Sequence, residues 1–240
     1  RDAQESRGLG DVYKRQSLTG RREKLQAYQT LSAYISHSLA QGESIWIAQA
    51  EGRAKDGVDE TDPAIIKMVC MSRKGEEFSG LIQSLNLVPV SIAYEWDPCD
   101  SMKARELEQK ARLGEYRKEP GEDDRSIAKG LTGYKGRVHV AFGEPLQDDY
   151  ADAKAVARAV DQQVLTHYRL FPSNYLALEQ QVDIPADVAD WRASFTAAEI
   201  AEEEARFNAR LAECPVAQRP FWLLQYANPV LSRLRVLAQQ

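Results

Sequence analysis

Ile45-Trp46-Ile47-Ala48-Gln49-Ala50-Glu51-Gly52-Arg53-Ala54-Lys55-Asp56-Gly57 begins as a short apolar run and ends among glycines, cations and carboxylates. It reads as a buried strand feeding a polar loop, because an apolar run bounded by Gly42 and Gly52 is long enough for a core strand and too short for an independent helix. Gly52 and Gly57 let backbone N–H groups come close to a ligand, and Arg53 and Lys55 put positive charge where an anion such as phosphate would sit. The plainer alternative is a strand-to-helix connection whose charges are solvated.

Outward from this stretch the pattern is helical before it and mixed after it. Leu25, Tyr28, Ser32, Ile35 and Leu39 share a face of a helix starting near Arg21, and Gly42 stops it. Asp62 is a suitable N-cap and Pro63 a suitable first residue for a short helix through Ile65, Ile66 and Val69. Phe78, Leu81, Ile82 and Leu85 form a second helix that Asn86 can cap. Leu87 to Tyr94 is apolar enough for a strand buried on both faces, and with helices between it and the 45–49 strand a βαβ crossover is expected. Arg137 to Gly143 alternates as a third strand. The charge-dense region from Ser101 to Leu131 reads as solvated helix surface, with Glu106–Lys110 and Glu108–Arg112 as favourable pairs.

Beyond Asp148 the chain turns helical. Val156, Val160, Val164 and Tyr168 make one stripe, Pro172 a break, and Thr196 with Glu199 a capping box. Phe221 to Leu237 is either a helix packed on the domain or a membrane-surface helix with Trp222 and Tyr226 at the interface and Arg233 and Arg235 toward headgroups. Three divisions are expected: 1–16 as a disordered or non-native lead-in, 17–171 as an incomplete α/β domain, and 172–240 as a helical C-terminal extension. Within the lead-in, GDVYKRQ resembles translated adapter sequence, so the native N-terminus is expected to lie elsewhere.

Composition limits function. With 43% hydrophobic and 28% charged residues among 240, the chain can bury a core, and its net charge of -5 with interleaved cations argues against nucleic acid. Cys70, Cys99 and Cys214 are widely spaced, so neither a disulfide framework nor a structural zinc site is expected, and no metal is expected elsewhere. That usage fits a cytoplasmic protein, and no run is long and apolar enough for a membrane span. A nucleotide-binding loop fails because Val58 and Asp59 stand where Lys and Ser/Thr must grip phosphate and magnesium; a serine hydrolase fails for want of G-x-S-x-G.

The order of strand, Glu51-Gly52-Arg53-Ala54-Lys55 loop, two helices and Val88-Pro89-Val90-Ser91-Ile92 resembles the glycerophosphate and lysophosphatidic acid acyltransferase family over roughly Ser17 to Tyr175. Gly143-Glu144-Pro145-Leu146 and Pro172-Ser173-Asn174-Tyr175 are similar to its downstream portion. The resemblance implies an α/β fold with a mixed or mostly parallel sheet flanked by helices. It implies acyl transfer from an acyl-CoA or acyl-carrier-protein thioester to a glycerophosphate-type hydroxyl, without a further cofactor. Glu51, Gly52, Arg53, Lys55 and Pro89 are the implied substrate-binding residues, Arg53 or Lys55 or both touching phosphate, Glu51 bracing the loop and Pro89 shaping a wall. Arg21 and Arg22 fall where the family places a further basic element. It also implies a location in the cytoplasm or peripherally on the inner membrane face.

Two departures stand out. The loop arginine directly follows its glycine, and Ala50 replaces a proline. The family's His-x-x-x-x-Asp, in which His acts as general base on the acceptor hydroxyl, is missing. His37 is followed five positions on by Gly42, and His167 by Pro172. His139 with Glu144 has the spacing but lies on a strand downstream of the loop, where residues five apart point to opposite faces. No catalytic residue is therefore assigned. The alternative is a non-catalytic module that binds a phosphate or lipid headgroup.

Overall fold

The computed structural model describes residues 20–50, 54–181 and 185–238. Of the sequence-selected site residues, Glu51, Gly52 and Arg53 lie outside them, as does the lead-in 1–16. The helices are α1 (Arg21–Ala40), α2 (Pro63–Cys70), α3 (Phe78–Leu85), α4 (Asp100–Leu113), α5 (Glu122–Thr132), α6 (Ala153–His167), α7 (Pro172–Glu179), α8 (Ala197–Glu213) and α9 (Arg219–Leu237). The strands are β1 (Val90–Tyr94) and β2 (Val138–Phe142).

The expected α/β architecture is overturned. Helix makes up 61% of the described residues, and their only sheet is the two-stranded antiparallel pair β1–β2. The segment 45–49 is irregular, with Trp46 67% exposed. Its apolar run matched a strand's length, but a strand also needs a neighbour to complete its hydrogen bonds; among the described residues no strand pairs with it, although the Gln49 carbonyl accepts the Asp62 N–H at 2.8 Å. The β1 to β2 connection contains two helices yet returns antiparallel, and no parallel βαβ unit forms among the described residues. Nor is β1 buried on both faces: Ser91 and Ala93 are buried, whereas Ile92 and Tyr94 face solvent. The run looked doubly buried because its solvent face is apolar as well.

Local signals fare better. Asp62 caps α2 by accepting the Ala64 N–H at 2.8 Å, with Pro63 as the first helical residue. Asn86 closes α3 in the left-handed region (φ 50°). Thr196 and Glu199 form the reciprocal capping box of α8, at 2.9 and 3.2 Å. The charged region forms α4 and α5, separated at Gly114, and both anticipated i, i+4 pairs are made.

The chain divides into two compact units. The first combines Arg1–Glu51, Thr61–Leu87 and Pro145–Ala159. Its core includes Ile35 of α1, Ile66 and Val69 of α2, Leu81 and Ile82 of α3, and Val156 of α6. The buried Ser32 hydroxyl ties α1 to α2, donating to the Val69 carbonyl at 2.7 Å and accepting the Ser72 N–H at 2.9 Å. Arg21, Arg22, Leu25 and Tyr28, at the start of α1, are exposed or half-buried.

The second unit combines Gly52–Glu60, Val88–Glu144 and Val160–Gln240. Its core is aromatic: Trp96 meets Trp222 and Phe207, each at 6.4 Å between ring centroids, and Tyr226 at 5.5 Å. Helix α9 packs against α7 and α4. Trp222 and Tyr226 are 2% and 3% exposed, so the C-terminal segment is the packed helix of the two alternatives and not a membrane-surface one. None of the described helices is long and apolar enough to cross a membrane.

Candidate functional site

Lys55 is the described cation of the sequence-selected loop, and the second unit folds it over an open cleft. Met102, Lys103 and Glu106 of α4, Lys118, Glu122, Asp123 and Ser126 on and before α5, and Cys99 line the cleft with it. Helical spacing explains the convergence. Residues at i, i+1 and i+4 share a face, so 102, 103 and 106 look out from α4 as 122, 123 and 126 do from α5.

The loop reaches this position by leaning on α9. Asn228 Nδ2 donates to the Asp56 carbonyl at 2.7 Å, and Asp56 Oδ1 accepts the Val58 N–H at 3.1 Å. Gly57 is left-handed (φ 78°), and a Cβ there would lie 2.4 Å from the Gln225 carbonyl oxygen. The glycine that suggested close approach to a ligand thus serves close approach to a helix.

Electrostatically the cleft is balanced. Lys55, Lys103 and Lys118 pair with Glu106, Asp97 and Asp123, the last two at 2.6 Å. Glu106 also takes Lys110 at 2.8 Å, so two ammonium groups share one carboxylate. Burial acts to raise the Glu106 carboxyl, but the hydrogen bonds from Lys110 and Lys55 outweigh it and hold it below its ordinary value. Glu122 follows the same logic: burial opposes ionisation, while Tyr116, the Glu119 N–H and Arg105 hold its pKa down. The hydrogen bond to Asp123 raises the Lys118 ammonium. Three cations can therefore face one ligand, each held by a carboxylate that a stronger anion would have to displace.

Pro89 does not line this cleft. It is buried beside β1, where its carbonyl accepts the Gly143 N–H at 2.8 Å, and its missing N–H suits the end of the ladder. His139 is exposed on β2, and His37 lies on α1 within hydrogen-bonding distance of Gln41 (3.0 Å). Among the described residues no His, Cys, Asp and Glu cluster could hold a metal ion.

A second polar constellation is buried under the cleft's helices. Asp100 Oδ2, at the start of α4, accepts Trp222 Nε1 and Tyr226 Oη at 2.8 Å each and Arg210 Nη2 at 2.5 Å. Arg210 in turn stacks over Trp96 at 4.9 Å. With every oxygen occupied from within, this network fastens α4, α8 and α9 together. No protein-family model, curated protein or solved structure matches the chain.

Proposed function

We propose that the Lys55 cleft binds the phosphate of a phosphorylated glycerol, and that it is the acceptor site of an acyltransferase moving a fatty acyl group from an acyl-CoA or acyl-carrier-protein thioester. The observation that carries this reading is the position of Lys55. Two residues after the Glu51-Gly52-Arg53 motif, it stands over an open cleft with Lys103 and Lys118. A phosphate dianion gains charge-assisted hydrogen bonds there, and Glu106 keeps Lys110 when Lys55 turns to the ligand. In the reaction the acceptor hydroxyl oxygen bonds to the thioester carbonyl carbon, the carbon–sulfur bond breaks, and the hydroxyl proton ends on the departing thiol. None of His37, His139 and His167 is assigned the base. A second reading, a phosphate or headgroup module without turnover, is favoured by the missing His-x-x-x-x-Asp.

Calorimetric titration of the full chain with sn-glycerol 3-phosphate, inorganic phosphate and glycerol tests the site. Glycerol phosphate should bind and glycerol should not, and Lys55→Ala should weaken binding roughly tenfold, the loss of one charge-assisted bond. Equal binding of glycerol, or an indifferent K55A variant, would refute the site. Thiol release from an acyl thioester that depends on glycerol phosphate separates transfer from binding alone.

A further inference from the structure

The outer edge of β2 is open from Val138 to Phe142 and closed just beyond, where Gln163 of α6 accepts the Glu144 N–H at 2.8 Å and donates to its carbonyl at 3.1 Å. Glu95 N–H donates to the Arg137 carbonyl at 2.9 Å and Gly143 N–H to that of Pro89 at 2.8 Å, so residues 137, 139, 141 and 143 turn their backbone groups toward β1. By alternation Val138, Val140 and Phe142 turn theirs outward, where the described residues supply no further strand. The side chains of these three are 50%, 49% and 71% exposed. Val138 to Phe142 holds no proline or lysine, devices that commonly blunt an exposed edge.

We infer that this edge pairs with the same edge of a second copy of the chain, antiparallel about a two-fold axis through Val140. Register supports it. That axis sets Val138 opposite the partner's Phe142 and Val140 opposite the partner's Val140. Every outward-facing residue then meets another, each facing pair exchanges two backbone bonds, and β-branched side chains lie beside aromatic ones. Charge order supports it independently. Lys135 and Arg137 precede the strand and Glu144 follows it. Lys135 Nζ donates to the Leu131 and Gly133 carbonyls and has no ion pair among the described residues, and Arg137, bound to Glu95 and Glu199, still has a 43% exposed side chain. Glu144 is exposed and has no ion pair among the described residues. Antiparallel pairing brings the cationic entry of one copy beside the acidic exit of the other, whereas parallel pairing sets like beside like. Isologous contact of this kind closes as a dimer and does not propagate. A five-residue edge makes a small interface, so the dimer is weak and weakens further with salt.

Sedimentation of the full chain over a concentration series tests this, with far-UV circular dichroism confirming the fold of each variant. The wild type should show a monomer–dimer equilibrium in the micromolar range. Val140→Lys and Val140→Glu, each placing like charges face to face across the axis, should raise the dissociation constant at least roughly tenfold. Mixing the two should restore the dimer. A wild type that stays monomeric throughout overturns the proposal, as does a V140K chain that dimerises like wild type. Two monomeric variants that fail to associate when mixed overturn the axis through Val140.

Discussion

Asp100→Asn should cost the second unit about 3 kcal/mol of stability. The carboxylate's Oδ2 accepts three donors, from Trp222, Tyr226 and Arg210, and its Oδ1 accepts the Ser101 N–H at 2.6 Å. Asparagine keeps the shape and removes the charge. If its amide nitrogen faces the three donors, donor meets donor; flipped, it confronts Ser101 N–H instead. In either pose the Arg210 guanidinium loses its counter-charge. Breaking a buried ion pair on one side costs about 3–5 kcal/mol, and the low end applies because the Arg210 side chain is 27% exposed and keeps its stacking on Trp96. For a chain of this size the melting point should fall by about 6–12 °C. Urea unfolding followed by tryptophan fluorescence is the direct assay, since Trp96 and Trp222 are buried in this unit. Adding Arg210→Met to D100N should recover part of the loss, because the stranded charge is then gone. A loss under about 1 kcal/mol, or a double variant no better than D100N, would refute the account of Asp100 as the fastening point.

Two further outcomes follow from named contacts. Burial first, and the neighbouring Glu95 second, raise the Glu203 carboxyl, while Arg206, Trp96 Nε1 and Arg137 pull it down less. A carboxyl raised on folding binds more protons in the native state, so its contribution falls as pH rises from the ordinary carboxylate range through the raised value. Glu203→Gln should flatten that slope in pH-dependent urea titrations and leave neutral stability equal or higher; an unchanged slope would place the pH dependence elsewhere. Gly57→Ala should destabilise by at least about 1 kcal/mol through left-handed strain, with more from the clash against Gln225, and a thermal scan reads it. If the loop instead relocates, glycerol phosphate binding should fall while the melting point holds.

What was legible in the sequence is what is decided within a few residues. Asp62, Asn86 and the Thr196–Glu199 box satisfy backbone groups one helical turn away, and each sits where its local pattern placed it. The strand at 45–49 depended on distant neighbours, and an apolar run carries no information about whether a ladder will meet it. The sidedness of β1 was hidden for a related reason: Ile92 and Tyr94 are apolar on the solvent face, so alternation in burial was not alternation in polarity.

The candidate site was half legible for reasons that bear on how it would work. Glycine and cations point to Lys55, but the charge-dense helices read as solvated because α4 offers pairs within itself, Glu106–Lys110 and Glu108–Arg112. The i, i+1, i+4 spacing repeated at Met102, Lys103, Glu106 and at Glu122, Asp123, Ser126 was the available signal. What spacing could not reveal is that Glu106 accepts a lysine from outside its own helix. That sharing governs the energetics of an incoming phosphate. Were Lys55 the sole partner of Glu106, drawing it toward a ligand would strand a largely buried carboxylate and oppose binding. With Lys110 retained at 2.8 Å, Glu106 stays compensated and Lys55 is the exchangeable cation of the pair. Removing Lys110 should therefore weaken phosphate binding although Lys110 never touches the ligand. In K110A, Lys55 would be held by Glu106 alone, and titration with glycerol phosphate should show a raised dissociation constant whose salt dependence matches wild type. Affinity unchanged in K110A would mean that Lys55 leaves Glu106 at no cost and that the shared pair has no part in binding.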